Sequence, residues 1–114
     1  MHIDSYQFGR IVIDGASYTS DCLILGGVVK PDWRRQEGHS LSVEDLQDVI
    51  EAKPAILVTG SGASGMMDVP EKTMQTLKEQ GIQVEVYDTH RAVKRFNELA
   101  KKGENAAAAL HLTC

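Results

Sequence analysis

The strongest chemical signal is Gly60-Ser61-Gly62-Ala63-Ser64-Gly65, directly after the apolar run Ala55-Ile56-Leu57-Val58-Thr59. Glycines spaced this way behind a strand spell a loop that wraps a dinucleotide pyrophosphate. Asp88 ends the next expected strand about 20 residues on, where an acid would take the ribose hydroxyls. Three features oppose a full nucleotide site. Met66 and Met67 separate the last glycine from Asp68, where the next helix is expected to start, so the helix tip does not meet the phosphates. Asp68 as N-cap would place its own carboxylate on the free N–H groups. The alternating region spans only about sixty residues, too few for two mononucleotide-binding halves. No Gly-Lys-Ser/Thr follows, which excludes a P-loop. Two readings stay open: a pocket for a small anion or polar ligand, or a turn that needs positive φ and close backbone approach.

A second candidate is the corner Asp88-Thr89-His90, past the following strand and at the start of a helix that Thr89 can cap. In open α/β sheets ligands sit beyond the carboxyl ends of parallel strands. Gly60, Ser61, Gly62 and Gly65 are therefore expected to share a rim with Asp88 and Thr89 as a candidate ligand site. Trp33 and Arg34 add a planar ring and a guanidinium on a polar loop, able to stack on a ligand or clamp a carboxylate. Against this, Trp33 can plug the core edge while the arginines pair with some of the 16 acidic residues. Asn97, in mid-helix despite low propensity, calls for a reason such as a buried hydrogen bond.

Metal and thiol chemistry have little support. Cys22 and Cys114 form no ligand spacing and are read as free thiols. A zinc site from His39, His111, Cys22 and Cys114 has no spacing to recommend it. On a strand His111 and Thr113 point to one face, Leu112 and Cys114 to the other, so His111 and Cys114 make no nucleophile pair. No catalytic residue, metal or cofactor is expected.

The elements that would position these residues follow from period and punctuation. "YQFGRIVIDGASYTSDCLIL" reads as two strands joined at Asp14-Gly15. Gly26-Gly27 turns into a short "VVK" strand that Pro31 stops, and "PDWRRQEGHS" is loop. Val43, Leu46, Val49 and Ile50 define a helix behind a Ser42–Asp45 capping box, ended by Lys53-Pro54. "AILVT" is a strand buried on both faces. A helix from Asp68 to Gly81 follows, then the strand "IQVEVYD". Ala92, Val93, Phe96, Leu99 and Ala100 define the clearest helix, closed by Gly103, and "AAAALHLTC" is a last strand. The order β-β-β-α-β-α-β-α-β gives an α/β or α+β fold with a mixed sheet in layers. Its second half is parallel through right-handed crossovers and its first half antiparallel.

The 114 residues are read as one domain, residues 1–114, with 42% hydrophobic and 25% charged residues. A net charge of −4 argues against nucleic acid and anionic membranes as partners. The basic face of Arg91, Lys94, Arg95, Lys101 and Lys102 is either solvated or a dock for an acidic partner. "MHIDSYQFGR" shows no targeting pattern and no run nears the ~20 residues of a membrane span, so a cytoplasmic location is expected.

Laid out this way, the chain resembles the adipogenesis-associated protein family. The resemblance rests on "DWR" at Asp32 to Arg34 with the nearby His39-Ser40, on "TGSG" leading to Val69-Pro70, and on "GIQVEV", "AVKRFNEL" and "HLTC". The mitochondrial assembly factors of respiratory complex I are more distantly similar, through the glycine loop, the strand after it and the following helix. The resemblance implies three layers: a mixed sheet with a Rossmann-like βαβαβ half, helices on one side and a smaller antiparallel layer on the other. It implies a regulatory or assembly role and supplies no catalytic residue. Family members can carry an arginine where this chain has Ser61. The expected function is thus a non-enzymatic module for a protein partner, as monomer or homodimer. The alternative is a small-ligand-binding or weakly catalytic domain built on the glycine loop.

Overall fold

Five strands, not three, precede the first helix in the computed structural model, which describes residues 1–114. β1 (Ile3–Gln7), β2 (Arg10–Ile13) and β3 (Ala16–Tyr18) form a small antiparallel sheet. Asp14 and Gly15 turn β2 into β3 with φ of 48° and 82°, the left-handed pair this dipeptide favours. β1 escapes a search for alternation because the register slips between Ile3 and Ser5. That bulge brings Ile3 and Tyr6, three residues apart, onto the same core. The strand expected to follow Asp14-Gly15 is really two. β3 ends at Tyr18, and β4 (Cys22–Leu25) joins a different sheet, where it turns through Gly26-Gly27 into β5 (Val28–Lys30).

The larger sheet runs β5-β4-β8-β6-β7. β6 (Ile56–Ser61), β7 (Gln83–Tyr87) and β8 (Ala106–His111) are mutually parallel, while β4 pairs antiparallel with β8 and β5. A 3-10 turn at Val43–Leu46 leads into α1 (Gln47–Ala52), and α2 (Glu71–Glu79) and α3 (Thr89–Lys101) fill the two parallel crossovers. The Ser42–Asp45 capping box is present as expected.

The chain goes from β6 outward to β7, then back across β6 to β8. Right-handed crossovers in opposite directions place α2 and α3 on opposite faces. Leu46, Val49 and Leu77 therefore pack with Leu57, Ala107 and Ala109 on one face. Ala92, Val93, Phe96 and Leu99 of α3 pack on the other with Val58, Ala108 and Leu110, and this same cluster takes in Ile3, Ile11 and Ile13. The small sheet thus shares its face with α3, whereas the resemblance implied helices on the opposite side only. Asn97 supplies the joint: its Oδ1 accepts from Ile3 N–H at 2.8 Å and its Nδ2 donates to Ile3 O at 2.9 Å. That clamp is what its low helix propensity called for. The result is a mixed α+β fold.

Two helix starts differ from expectation. α2 begins at Glu71 behind Pro70, with no side-chain cap. Asp68 instead runs beside the 39–41 segment, its N–H on His39 O at 2.7 Å and its O accepting from Leu41 N–H at 2.9 Å. Its carboxylate does not cap α2, so that objection to an anion at the loop falls away. α3 is capped by Asp88, whose Oδ1 accepts from Arg91 N–H at 3.0 Å, and not by Thr89.

Candidate functional site

The glycine loop and the start of α3 do meet, because they follow adjacent parallel strands. Gly62 N–H donates to Thr89 Oγ1 at 2.8 Å, Thr89 N–H donates to Gly62 O at 3.0 Å, and Thr89 Oγ1 donates to His111 O at 2.6 Å. A Cβ on Gly60 would stand 2.9 Å from Thr89 Oγ1, so glycine there admits the helix start. Gly62, at φ 107°, would carry a Cβ 2.5 Å from Cys114 O. The loop's amides are turned onto the chain itself: Ala63 N–H on Thr113 O (2.7 Å), Met66 N–H on Cys114 O (3.0 Å), Gly65 N–H on Gly62 O (3.1 Å) and Met67 N–H on Ser61 O (2.9 Å). Ser61 Oγ donates to Tyr87 O at 3.0 Å. The four main surface cavities, of about 410 to 690 Å³, are lined by none of Gly60, Ser61, Gly62, Gly65, Asp88 or Thr89.

Trp33 and Arg34 lie elsewhere, in a cavity of about 440 Å³ shared with Glu44 and Asp48. Trp33 Nε1 donates to Asp45 O at 2.9 Å. The guanidinium over its ring, 4.9 Å from the centroid, belongs to Arg35, while Arg34 is exposed.

Arg35 leads to a site that the spacing of residues did not reveal. Its Nη1 donates to Asp21 Oδ2 at 2.8 Å, and the same carboxylate oxygen lies 2.7 Å from His111 Nδ1. Asp21 Oδ1 accepts from Leu112 N–H at 2.7 Å. Arg35 Nη2, 3.0 Å from His111 Nδ1, donates to Gly38 O at 2.9 Å. The Arg35 and His111 side chains are 5% and 6% exposed and that of Asp21 17%. Burial alone would lift the Asp21 carboxyl. The hydrogen bonds from His111, Leu112 N–H and Arg35 outweigh it and hold the group below its ordinary value of 3.8. A carboxylate oxygen at 2.7 Å fixes a proton on Nδ1, because two lone pairs that close repel. His111 Nε2 is left buried and without a protein partner, and in the neutral ring it carries a free lone pair. An imidazole oriented by a carboxylate with its other nitrogen open can make one further hydrogen bond.

These three residues stand at positions 21, 35 and 111. Only the antiparallel register that sets Cys22 opposite Leu110 brings Asp21 alongside His111. A charged residue directly before a fully apolar strand was the one available signal, and it names no partner. Elsewhere, the two thiols are free. Cys22 is buried, its thiol pushed up to about 12 chiefly by that burial, while Cys114 is exposed.

Comparison with known proteins fits this architecture. Assembly factor 3 of the NADH dehydrogenase (ubiquinone) 1 alpha subcomplex from Danio rerio is 33% identical over 110 residues, covering 95% of this chain and 62% of that protein. The Homo sapiens protein of the same name is 30% identical over 112 residues, covering 96% and 60%. The chain spans about three-fifths of the length of these curated relatives. Among solved structures, a conserved hypothetical protein from Pyrococcus horikoshii OT3 superposes with a TM-score of 0.85 at 25% identity over 100% of both chains. MT938 does so with a TM-score of 0.83 at 29% identity, covering 99% of this chain and 98% of its own. The family described as protein of unknown function DUF498/DUF598 matches residues 3–111, which takes in both sheets and all three helices, and the chain belongs to that family.

Proposed function

We propose that this chain is a non-enzymatic protein-interaction module of the assembly type, working through the open edge at β7. The observation that carries the reading is the contrast between the two edges of the larger sheet. β5 is guarded: three residues long, with Lys30 at its end and Pro31 directly after. β7 is five residues long, has no Lys or Pro, and borders β6 on one side only. Gln83 N–H donates to Ala55 O at 3.0 Å, so by alternation the N–H and C=O groups of Val84 and Val86 face outward. Beside this edge lies a groove of about 690 Å³ whose apolar lining is Met74, Ile82 and Val84. An unpaired strand edge beside an apolar groove accepts an extended segment, backbone to backbone, with alternate side chains entering the groove.

The relatives named as assembly factors support a protein as partner. A cytoplasmic location and a regulatory role like that implied by the adipogenesis-associated resemblance are the finer form of the same proposal. The test combines purification from source cells with hydrogen exchange. A protein bound in stoichiometric amount is expected to slow exchange at the Val84 and Val86 amides. Val86→Pro, which removes an outward N–H, should abolish that complex while leaving the fold intact. Protection that maps to another surface, or a complex indifferent to Val86→Pro, overturns the reading.

A further inference from the structure

Two buried side-chain atoms have no hydrogen-bond partner in the protein, Thr59 Oγ1 and His111 Nε2. They share a face. Thr59 alternates with Leu57 along β6, and His111 alternates with Ala107 and Ala109 along β8, all on the side covered by α1 and α2. The register sets Thr59 opposite Ala109 and Ser61 opposite His111, so Thr59 is the diagonal neighbour of His111.

The ring's other nitrogen is already engaged. Asp21 precedes β4, on the far side of β8 from β6, and takes Nδ1. Nδ1 is thereby held on the β4 side of β8, which leaves Nε2 as the ring nitrogen without a partner. With the Nδ1 N–H donating to Asp21, Nε2 of the neutral ring is an acceptor only, whereas the Thr59 hydroxyl can donate or accept. The other polar groups nearby are engaged or distant: Ser61 Oγ donates to Tyr87 O, and the His39 ring lies 6.0 Å from that of His111 between centroids. Between β6 and β8 the strand order reverses, the place where open α/β sheets leave room for a ligand. Thr59 is 0% and His111 5% exposed, which restricts an occupant to very few atoms.

We propose that Thr59 and His111 hold one buried water between the carboxyl ends of β6 and β8. The water donates to His111 Nε2 and accepts from the Thr59 hydroxyl, which satisfies both groups at once. It completes a polar chain from Thr59 through His111 and Asp21 to Arg35, linking β6 to the loop that carries Trp33.

NMR on the full chain tests this. A long-lived water should give a nuclear Overhauser effect to the Thr59 methyl, and its absence overturns the proposal. Thr59→Val keeps the shape and removes the hydroxyl. If the water is held, this variant melts roughly 4–8 °C lower, the shift expected for about one lost hydrogen bond in a domain near this size. Its His111 Nε2 resonance should also move to that of a free acceptor. If Thr59 Oγ1 is instead an orphan, removing it relieves a penalty, and melting at or above the wild-type temperature overturns the proposal. Thr59→Ser keeps the hydroxyl and should leave the Nε2 resonance in place. A shift as large as that of Thr59→Val would assign the effect to packing and overturn it as well.

Discussion

Two polar constructions occupy the same end of the larger sheet, and they invert each other. The glycine loop, residues 60–65, is contiguous in sequence, yet its N–H groups at Gly62, Ala63 and Gly65 are answered by Thr89, Thr113 and Gly62. The Asp21–Arg35–His111 cluster is scattered along the chain, yet it ends in a ring nitrogen that nothing in the protein answers. The difference teaches that a motif's letters report backbone geometry before they report chemistry. Glycine at 60 and 62 is required by the approach of Thr89 and Cys114. A carboxylate, a guanidinium and an imidazole meeting out of water are costly to bury and carry no fixed spacing.

The comparison breaks most sharply at Gly62. A Cβ there would lie 2.5 Å from the Cys114 carbonyl oxygen and 2.6 Å from its carbon, at a φ of 107° that β-branched residues avoid. Gly62→Val should therefore destabilise by about 4 kcal/mol or more, combining overpacking with backbone strain. Chemical denaturation measures it. A loss under about 1 kcal/mol would mean that the loop yields easily, and that its glycines are spared for a ligand instead.

Asp21→Ala should come next, at about 3 kcal/mol, because it leaves Arg35 buried without its anion and frees the Leu112 N–H and His111 Nδ1. The effect carries a pH signature. Asp21 titrates lower in the fold than in the unfolded chain, so its contribution is complete above the unfolded value of 3.8. It drains away as the pH falls from there through the folded value. The gap in stability between wild type and variant, followed across this window, should close toward acid. A gap that holds constant with pH would show that the carboxylate's charge is not what stabilises the cluster.

What could be read beforehand follows the same division. Turns and helices announced themselves locally: Asp14-Gly15 by its tolerance of positive φ, the Ser42–Asp45 box by its capping atoms, α3 by the spacing of Ala92, Val93, Phe96 and Leu99. The meeting of the glycine loop with Thr89 was legible too, since parallel strands joined by a helix must place their carboxyl ends together. β1 was not, because its bulge replaces alternation by a three-residue step between Ile3 and Tyr6. Nor was the Asp21 cluster, which depends on β4 pairing with β8 across some 85 residues of chain, a long-range choice that no local pattern encodes. Arg34 and Arg35 show the limit most plainly. They are neighbours of one residue type, and only tertiary packing sends the second inward to Asp21 and leaves the first in solvent.

Gly65 gives the smallest and finest test of the comparison, inside the loop itself. It shares positive φ with Gly62, at 69°, but a Cβ there would meet only Ser61 Oγ, at an ordinary 3.6 Å. Gly65→Ala therefore isolates the backbone term, about 1–2 kcal/mol for an L-residue in the left-handed region, without the clash that Gly62 adds. If Gly65→Ala destabilises as much as Gly62→Val, strain alone rules the loop and the contact with Thr113 and Cys114 is incidental. If it is several-fold milder, close approach of that segment is what requires glycine at 62. The spacing that reads as a phosphate cradle then records two separate demands, a turn at 65 and a packed backbone at 62.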